Sequence, residues 1–237
     1  MEFLQKVLCG YCPQKKPDEQ HGRKRVRMSY FEHIRMKVRF DHPLGVLLDA
    51  LDKIGIKIVP YYFYLEGKSK AQFPTGIQAP ENCTFSQLTE IDMHVIASIP
   101  ERHISQEQLL DRLNQGKICF GVKYNGQLAG FTWVDPHECS YEGYRFVLKG
   151  HEAYLFDAFT LMPFRGKGLA PYMRYSVYSA LEADGITTMY SISNYLHKSA
   201  VRFKEKLHAK IIDRGMHVSL FNTWNLSTKA NRDRGSE

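Results

Sequence analysis

Residues 161–171, LMPFRGKGLAP, decide how this chain folds, because they join a strand-like run, HEAYLFDAFT, to a run with helical character. A helix that begins directly after such a loop leaves its first backbone N–H groups without acceptors, and its dipole places partial positive charge there. Gly166 and Gly168 remove side chains that would hold a ligand away from the backbone, while Arg165 and Lys167 add positive charge. The pattern therefore predicts a loop that binds phosphate groups.

Two better-known phosphate loops do not fit this spacing. A P-loop needs four residues between its glycines and then Lys followed by Ser or Thr, and a dinucleotide fingerprint needs G-x-G-x-x-G early in a βαβ unit. Neither spacing is present here. The plainer alternative is a glycine-rich turn that leads into a helix and carries solvated charges.

The basic charge of the chain is concentrated at its N-terminus. Of the net charge of +7 in 237 residues, residues 1–40 hold ten Lys and Arg against four Asp and Glu, a net +6 that leaves +1 for the remainder. In GRKRVRMSYFEHIRMKVRF the aromatic residues Tyr30, Phe31 and Phe40 lie beside the basic ones, which favours an acidic membrane surface or an acidic carrier protein as partner, with nucleic acid less favoured. The alternative is a solvated arm that leads into a packing helix.

The sequence shows no pattern of a membrane span, a signal peptide or a complete cysteine-based metal site. No run approaches the roughly 18 apolar residues of a membrane span, and the N-terminus has no signal peptide, so we expect a cytoplasmic protein, with peripheral membrane contact left open. Cys9 and Cys12 have the C-x-x-C spacing of redox and zinc sites, but His21 and His33 are too irregularly placed to complete one. No metal site is predicted, and reduced thiols are expected.

The chain divides into three parts by composition and periodicity. Residues 1–80 are expected to form a basic extension, with a mobile arm at about 10–27, then a helix in HPLGVLLDALDKIG and a strand, IKIVPYYFYLEG, interrupted at Pro60. Residues 81–228 are predicted to form the main domain in the order β-α-α-β-β-β-α-β-α-β-β, with a hairpin at Asn125-Gly126, and 229–237 a polar tail.

Arg165-x-x-Gly168-x-Ala170 resembles the R/Q-x-x-G-x-G/A acyl-CoA-binding motif of the GNAT acyltransferase superfamily. The likeness covers roughly residues 83–226 in the order of the strands, and HKSAVRFKEKLHAKII is similar to the family's second motif, N-x-x-A/S-x-x-x-Y-x-K-L-G-F. The resemblance implies an α/β (α+β) fold with a mixed, mostly antiparallel central sheet flanked by helices, here with an N-terminal α/β extension. It also implies an enzyme that moves an acetyl or other acyl group from CoA to an amine by direct attack on the thioester.

The resemblance implies roles for particular residues. Backbone groups at the end of the strand before the loop would pair with the pantetheine arm of acetyl-CoA or another acyl-CoA, and the loop N–H groups would surround the pyrophosphate, although Pro171 has no N–H to donate. That strand and ITTMYSISN would separate to admit the thioester. The cofactor-binding residues so implied are Ala158, Phe159, Thr160, Arg165, Gly166, Lys167, Gly168, Leu169, Ala170, Pro171 and Asn194.

The second motif departs from the family where its chemistry lies. His197 stands in place of the usual Asn, and Lys204 stands in place of the Tyr that protonates the departing thiolate in many members. We therefore name as candidate catalytic residues Asp157, which lies in an otherwise apolar strand, and Tyr195 and His197, either of which could supply a proton. The alternatives are that Asp157 bonds a neighbouring loop as a structural residue, and that His197 bonds the pantetheine arm in place of the Asn or only begins a helix.

Other functions stay open at this point. The departures just described would also suit a non-catalytic module that binds or senses acyl-CoA, and the basic extension would suit transfer of a longer acyl chain at a membrane or on a carrier protein. The acceptor, a small-molecule or peptide amine, is not identified by the mixed loop DPHECSYEGYRFVLKGHE. A homodimer is likewise left open.

Overall fold

The computed structural model describes residues 43–67, 79–221 and 223–228. The mobile arm predicted at about 10–27, the Cys9 and Cys12 pair with His21 and His33, and the polar tail lie outside these residues. The described chain contains both helices and strands. In order they are α1 (Pro43–Lys53), β1 (Ile56–Glu66), β2 (Cys83–Leu88), α2 (Glu90–Ala97), α3 (Gln106–Asn114), β3 (Ile118–Tyr124), β4 (Gln127–Asp135), β5 (Glu138–Tyr141), β6 (Tyr144–Val147), β7 (Glu152–Thr160), a 3-10 turn (Met162–Phe164), α4 (Leu169–Ala183), β8 (Thr188–Asn194), α5 (Lys198–Lys206), β9 (Lys210–Leu220) and β10 (Trp224–Ser227).

Local sequence signals account for two of these boundaries. Ser105 begins α3, because its side chain accepts from the backbone N–H of Gln108 in a capping box. Asn125 and Gly126 take positive φ values of 49° and 76°, as a tight hairpin between β3 and β4 requires. No helix within the described residues is long and apolar enough to cross a membrane.

One sheet of eight strands organises the fold, in the order β10-β9-β1-β8-β7-β4-β3-β2. Its neighbours run antiparallel except for β7 and β8, which are parallel. The prediction of a mixed, mostly antiparallel sheet is therefore confirmed. Strands β5 and β6 form a separate hairpin with a turn at Glu142 and Gly143, so the predicted order lacked two strands that lie in the DPHECSYEGYRFVLKGHE segment.

Strand β1 lies inside this sheet, between β8 and β9, although it comes from the segment predicted to be an extension. The segments before and after residue 80 therefore both contribute strands to the same sheet. Pro60 does not interrupt the strand. It is paired with Met216, whose N–H donates to Thr228 and so points away from β1. The ring of Pro60 thus costs no bond to β9, and its carbonyl accepts from Tyr195 at the end of β8.

The core is divided between the two faces of the sheet. Neighbouring residues of β4 show the division, since Trp133 packs with α2 and α3 while Val134 packs with α4 and the Leu207 end of α5. Alternation along a strand sends successive side chains to opposite faces. We refer below to the α2–α3 face, which also carries the β5–β6 hairpin, and to the α4–α5 face.

Candidate functional site

Strands β7 and β8 separate in the middle of the sheet. They pair at three positions only, from Glu152↔Thr188 to Tyr154↔Tyr190, although β7 continues to Thr160 and β8 to Asn194. Beyond Tyr154 the edge of β7 that faces β8 has no strand partner in the described sheet, while its other edge stays bonded to β4. An extended ligand could therefore lie between the two strands and bond to the free edge of β7.

The loop at the end of β7 is open around its glycines. Gly166 and Gly168 have φ values of 81° and 74°, and a Cβ placed on either would meet no atom within 4 Å. Gly168 caps α4, whose first turn contains no acidic residue. Because the first N–H groups of α4 have no intrahelical acceptors, the loop fits an anionic group such as a pyrophosphate. Pro171 interrupts this set of donors, as the sequence indicated.

Two cations are held beside the loop by neighbouring aromatic rings. Arg165 lies 5.5 Å from the Phe159 ring, and its Nε donates to the Thr160 carbonyl at 2.9 Å. Lys167 Nζ lies 4.8 Å from the Tyr124 ring. Both side chains stay close to the loop while their remaining N–H groups face solvent. The implied pairing with pantetheine requires a free carbonyl at Thr160. That carbonyl already accepts from Arg165.

On the other side of the separation, the end of β8 carries Asn194, Tyr195 and His197. The Asn194 side chain accepts from the N–H of Leu196 and so shapes the turn that follows β8. The Tyr195 ring is exposed and lies 5.2 Å from the Tyr62 ring. His197 caps α5 without a side-chain capping bond. These three residues lie close together at the end of β8, and their roles stay predictions.

Asp157 lies on the opposite wall, in a β-bulge. Phe156 and Phe159 of β7 pair with Trp133 and Phe131, so two residues of β7 stand against Thr132 alone, and Asp157 takes a φ of 49°. The bulge directs its side chain to the α2–α3 face. There its Oδ2 accepts from Arg102 Nη2 at 2.5 Å and from Arg112 Nη1 at 2.7 Å.

The two arginines were not found by sequence reasoning. Arg102 lies in the loop after α2 and Arg112 in α3, and no spacing links either of them to Asp157, which is 55 or 45 residues away. Each guanidinium is also flanked by rings, with Arg102 5.5 Å from Phe131 and from Phe159, and Arg112 5.2 Å from Trp133. The Arg102–Asp157–Arg112 cluster is therefore held in place from several sides.

A second cluster is buried on the α4–α5 face around Glu66 of β1. Lys204 Nζ donates to Glu66 Oε1, the Tyr178 hydroxyl donates to Glu66 Oε2, and Arg174 Nε lies 3.7 Å from Oε2. Lys204 also donates to Ser191 Oγ at 2.7 Å. The Lys204 that replaces the family's Tyr is therefore engaged in a closed network, which we call the Glu66 cluster.

Charge interactions decide the ionisation of the Glu66 cluster. Burial alone would raise the pKa of Glu66, but attraction to Lys204 and Arg174 outweighs it and lowers the pKa to about 2. Burial lowers the pKa of Lys204 to about 8, against the opposing attraction of Glu66. Burial, reinforced by Glu66, raises the pKa of Tyr178 well above its usual value. The carboxylate is therefore ionised, and Lys204 loses its proton more readily than an ordinary lysine.

Comparison with known proteins assigns this arrangement to a family. The sequence model described as "Acetyltransferase (GNAT) family" matches residues 85–209, which is more than half of the chain. No curated protein matches the sequence significantly.

Solved structures are similar in fold at low sequence identity. A tandem GNAT protein from the clavulanic acid biosynthesis pathway is 14% identical with a TM-score of 0.51, covering 79% of this chain and 59% of that one. A GCN5-related N-acetyltransferase from Sphaerobacter thermophilus is 13% identical with a TM-score of 0.50, covering 76% and 56%. A GCN5-related glucosamine N-acetyltransferase region of a fungal multi-domain GH3 β-N-acetylglucosaminidase is 12% identical with a TM-score of 0.52, covering 76% and 23%. The chain thus spans less than two thirds of the length of each.

Proposed function

The chain belongs to the GNAT acetyltransferase family, and from this premise we propose that it is an N-acyltransferase that moves an acetyl group, or another acyl group, from CoA to an amine. The observation that carries the proposal is the separation of β7 from β8 beside the open glycine loop that begins α4. A slot between strands and an anion site at its end suit a ligand with an extended arm and a pyrophosphate. Acyl-CoA is such a ligand.

The cofactor-binding residues are proposed as follows. On the free edge of β7, Ala158 bonds the pantetheine arm, with Thr160 contributing if Arg165 releases its carbonyl; Phe159, whose own carbonyl faces β4, lies between them. The N–H groups of Gly166 through Ala170 hold the pyrophosphate, and Arg165 and Lys167 offset its charge. Asn194 and Pro171 border the slot. CoA supplies the acyl group as a thioester.

The chemistry is proposed to take place between the two walls. The acceptor nitrogen attacks the thioester carbonyl, so that an N–C bond forms and the C–S bond breaks. Asp157 Oδ1 holds that nitrogen and takes its proton directly or through a water, and a backbone N–H of β7 donates to the carbonyl oxygen as negative charge develops on it. The proton that the departing sulfur needs comes from Tyr195 or from His197 on the β8 wall.

Isothermal titration with acetyl-CoA tests the cofactor site. We expect the wild type to bind and Gly168→Glu to lose at least about tenfold in affinity, because the added carboxylate repels the pyrophosphate. Gly185→Glu is the matched control, since Gly185 lies at the other end of α4 with a φ of 82° and equally open surroundings. Equal affinity in the two variants, or no heat from the wild type at high micromolar concentration, would overturn the assignment.

A further inference from the structure

The Arg102–Asp157–Arg112 cluster has unused hydrogen-bonding capacity. Both arginines bind the same oxygen, Oδ2, and no described residue bonds to Oδ1 of Asp157. Each guanidinium has five N–H donors, of which the carboxylate uses one. Side-chain exposures of 14% for Asp157, 21% for Arg102 and 26% for Arg112 leave the cluster within reach of a ligand.

The cluster also carries an excess positive charge. Two guanidiniums face one carboxylate. The other ion pairs described on this face are each neutral: Lys117 with Asp135, Lys123 with Asp92 and, at the β5–β6 hairpin, Arg145 with Glu138 and Lys57 with Glu142. A partly desolvated excess charge is costly unless an opposite charge meets it. The two guanidiniums can therefore bind a negatively charged group of a ligand, whereas a ligand with only a positive charge would add to the excess.

The position of Asp157 places the cluster beside the slot in which the proposed reaction takes place. Asp157 lies on β7 past the point where β7 leaves β8, and it faces the α2–α3 face, opposite α4 and its phosphate loop. A ligand at Asp157 can therefore approach the slot from one face while the cofactor enters from the other. Both guanidiniums contact the carboxylate of Asp157. A ligand that binds this carboxylate with one group and the guanidiniums with another must therefore carry the two groups close together.

We propose that the acceptor is an α-amino acid, whose amino group binds Asp157 Oδ1 and whose carboxylate binds Arg102 and Arg112. The amine and the carboxylate of such a molecule share one carbon, which meets the requirement of close neighbours. A polyamine or an amino sugar offers no negative charge to the arginines, and a peptide N-terminus carries a neutral amide in place of the carboxylate. The inference rests on the proposed acyl transfer and names its acceptor class.

Matched acceptors test the proposal. Each L-amino acid is compared with the amine that lacks only its carboxylate, such as phenylalanine with phenethylamine, lysine with cadaverine and arginine with agmatine, using acetyl-CoA as donor. For the accepted side chain, we expect kcat/KM for the amino acid to exceed that for the amine by about 100-fold, because two charge-assisted hydrogen bonds are lost with the carboxylate.

Variants of the arginines make the test specific. Arg102→Gln and Arg112→Gln should each lower kcat/KM for the amino acid by about tenfold more than kcat/KM for the matched amine, so that the ratio of the two values falls; the loss that both acceptors share reports the contact of the arginines with Asp157. Arg112→Lys keeps the charge and should retain an intermediate preference even if the Gln variants fold poorly. Acetyl-CoA binding by titration checks that each variant has an intact cofactor site.

The outcomes separate this inference from the proposed function. Amines that are acetylated as well as their amino acids would overturn the acceptor class and leave acyl transfer standing. A preference for amino acids that survives in both Gln variants would overturn the role of the arginines. Acetyl-CoA binding with no turnover of any amine or amino acid would overturn the transfer reaction itself and the inference with it.

Discussion

Two charge clusters of this protein have the same composition, two cations and one carboxylate, and lie on opposite faces of the sheet. In the Glu66 cluster, the side chains of Glu66, Arg174 and Lys204 are at most 4% exposed. In the Arg102–Asp157–Arg112 cluster, exposure runs from 14% to 26%. Both oxygens of Glu66 have donors, whereas Asp157 receives both arginines on one oxygen.

Clusters of the same charges therefore differ in role according to how far solvent and ligands can reach them. The Glu66 cluster joins β1 to α4 and α5, and neither oxygen of Glu66 is left for a ligand. The interactions of this cluster therefore stabilise the packing of β1 against the two helices. The Arg102–Asp157–Arg112 cluster keeps an oxygen and several N–H groups available. Because water and ligands reach it, removing its carboxylate should cost less stability and more activity.

The largest expected effect comes from neutralising the buried carboxylate. Glu66→Gln should lower the free energy of unfolding by about 3–5 kcal/mol, because it leaves Lys204 and Arg174 buried without their counter-charge. Urea unfolding followed by circular dichroism measures this. Glu81→Gln is the control, since Glu81 is exposed and its substitution should change stability by no more than about 0.5 kcal/mol. A loss below about 1 kcal/mol in Glu66→Gln would contradict the structural role.

A smaller effect should come from pH. The pKa of Glu66 is about 2 in the folded protein and 4.5 ordinarily, so its ionised form contributes stability that is complete above pH 4.5 and is lost as pH falls towards 2. Between pH 5 and pH 3 the wild type should therefore lose about 2 kcal/mol more than Glu66→Gln. Urea midpoints across this range measure the difference, and parallel profiles for the two proteins would argue against the assignment.

The smallest change in stability should come from the open cluster. Asp157→Asn should cost about 1–2 kcal/mol, because water can solvate the released guanidiniums, yet it should lower kcat/KM for acyl transfer by about 100-fold. Urea unfolding and steady-state kinetics with acetyl-CoA measure the two effects. A stability loss equal to that of Glu66→Gln, with transfer unchanged, would make both clusters structural and remove the distinction between them.

Local sequence signals predicted much of the fold. The cap at Ser105, the turn at Asn125-Gly126 and the glycine loop before α4 each depend on residues within a few positions, so they could be identified in the sequence. The β5–β6 hairpin was missed because its strands have four residues each and lie in a segment of mixed polarity. The uninterrupted β1 was missed because the neighbours of Pro60 in the sheet come from far along the chain.

The candidate site was also predicted only where its residues belong to local sequence patterns. The sequence pointed to Asp157, Tyr195, His197 and the loop residues, and their roles remain proposals. It gave no sign of Arg102, Arg112 or Glu66, since no pattern of spacing connects them with their partners.

By itself the sequence determined the glycines, the cations and the helix start of residues 161–171, on which the proposed phosphate loop rests, because these are local features. Only the tertiary structure decided that β1 lies between β8 and β9 and that β7 leaves β8 after three pairs. It also decided which charges meet, since Glu66 and Lys204 are 138 residues apart and Arg102 and Asp157 are 55 apart. Contacts over such distances depend on how the whole sheet and its helices pack, which no short stretch of sequence encodes.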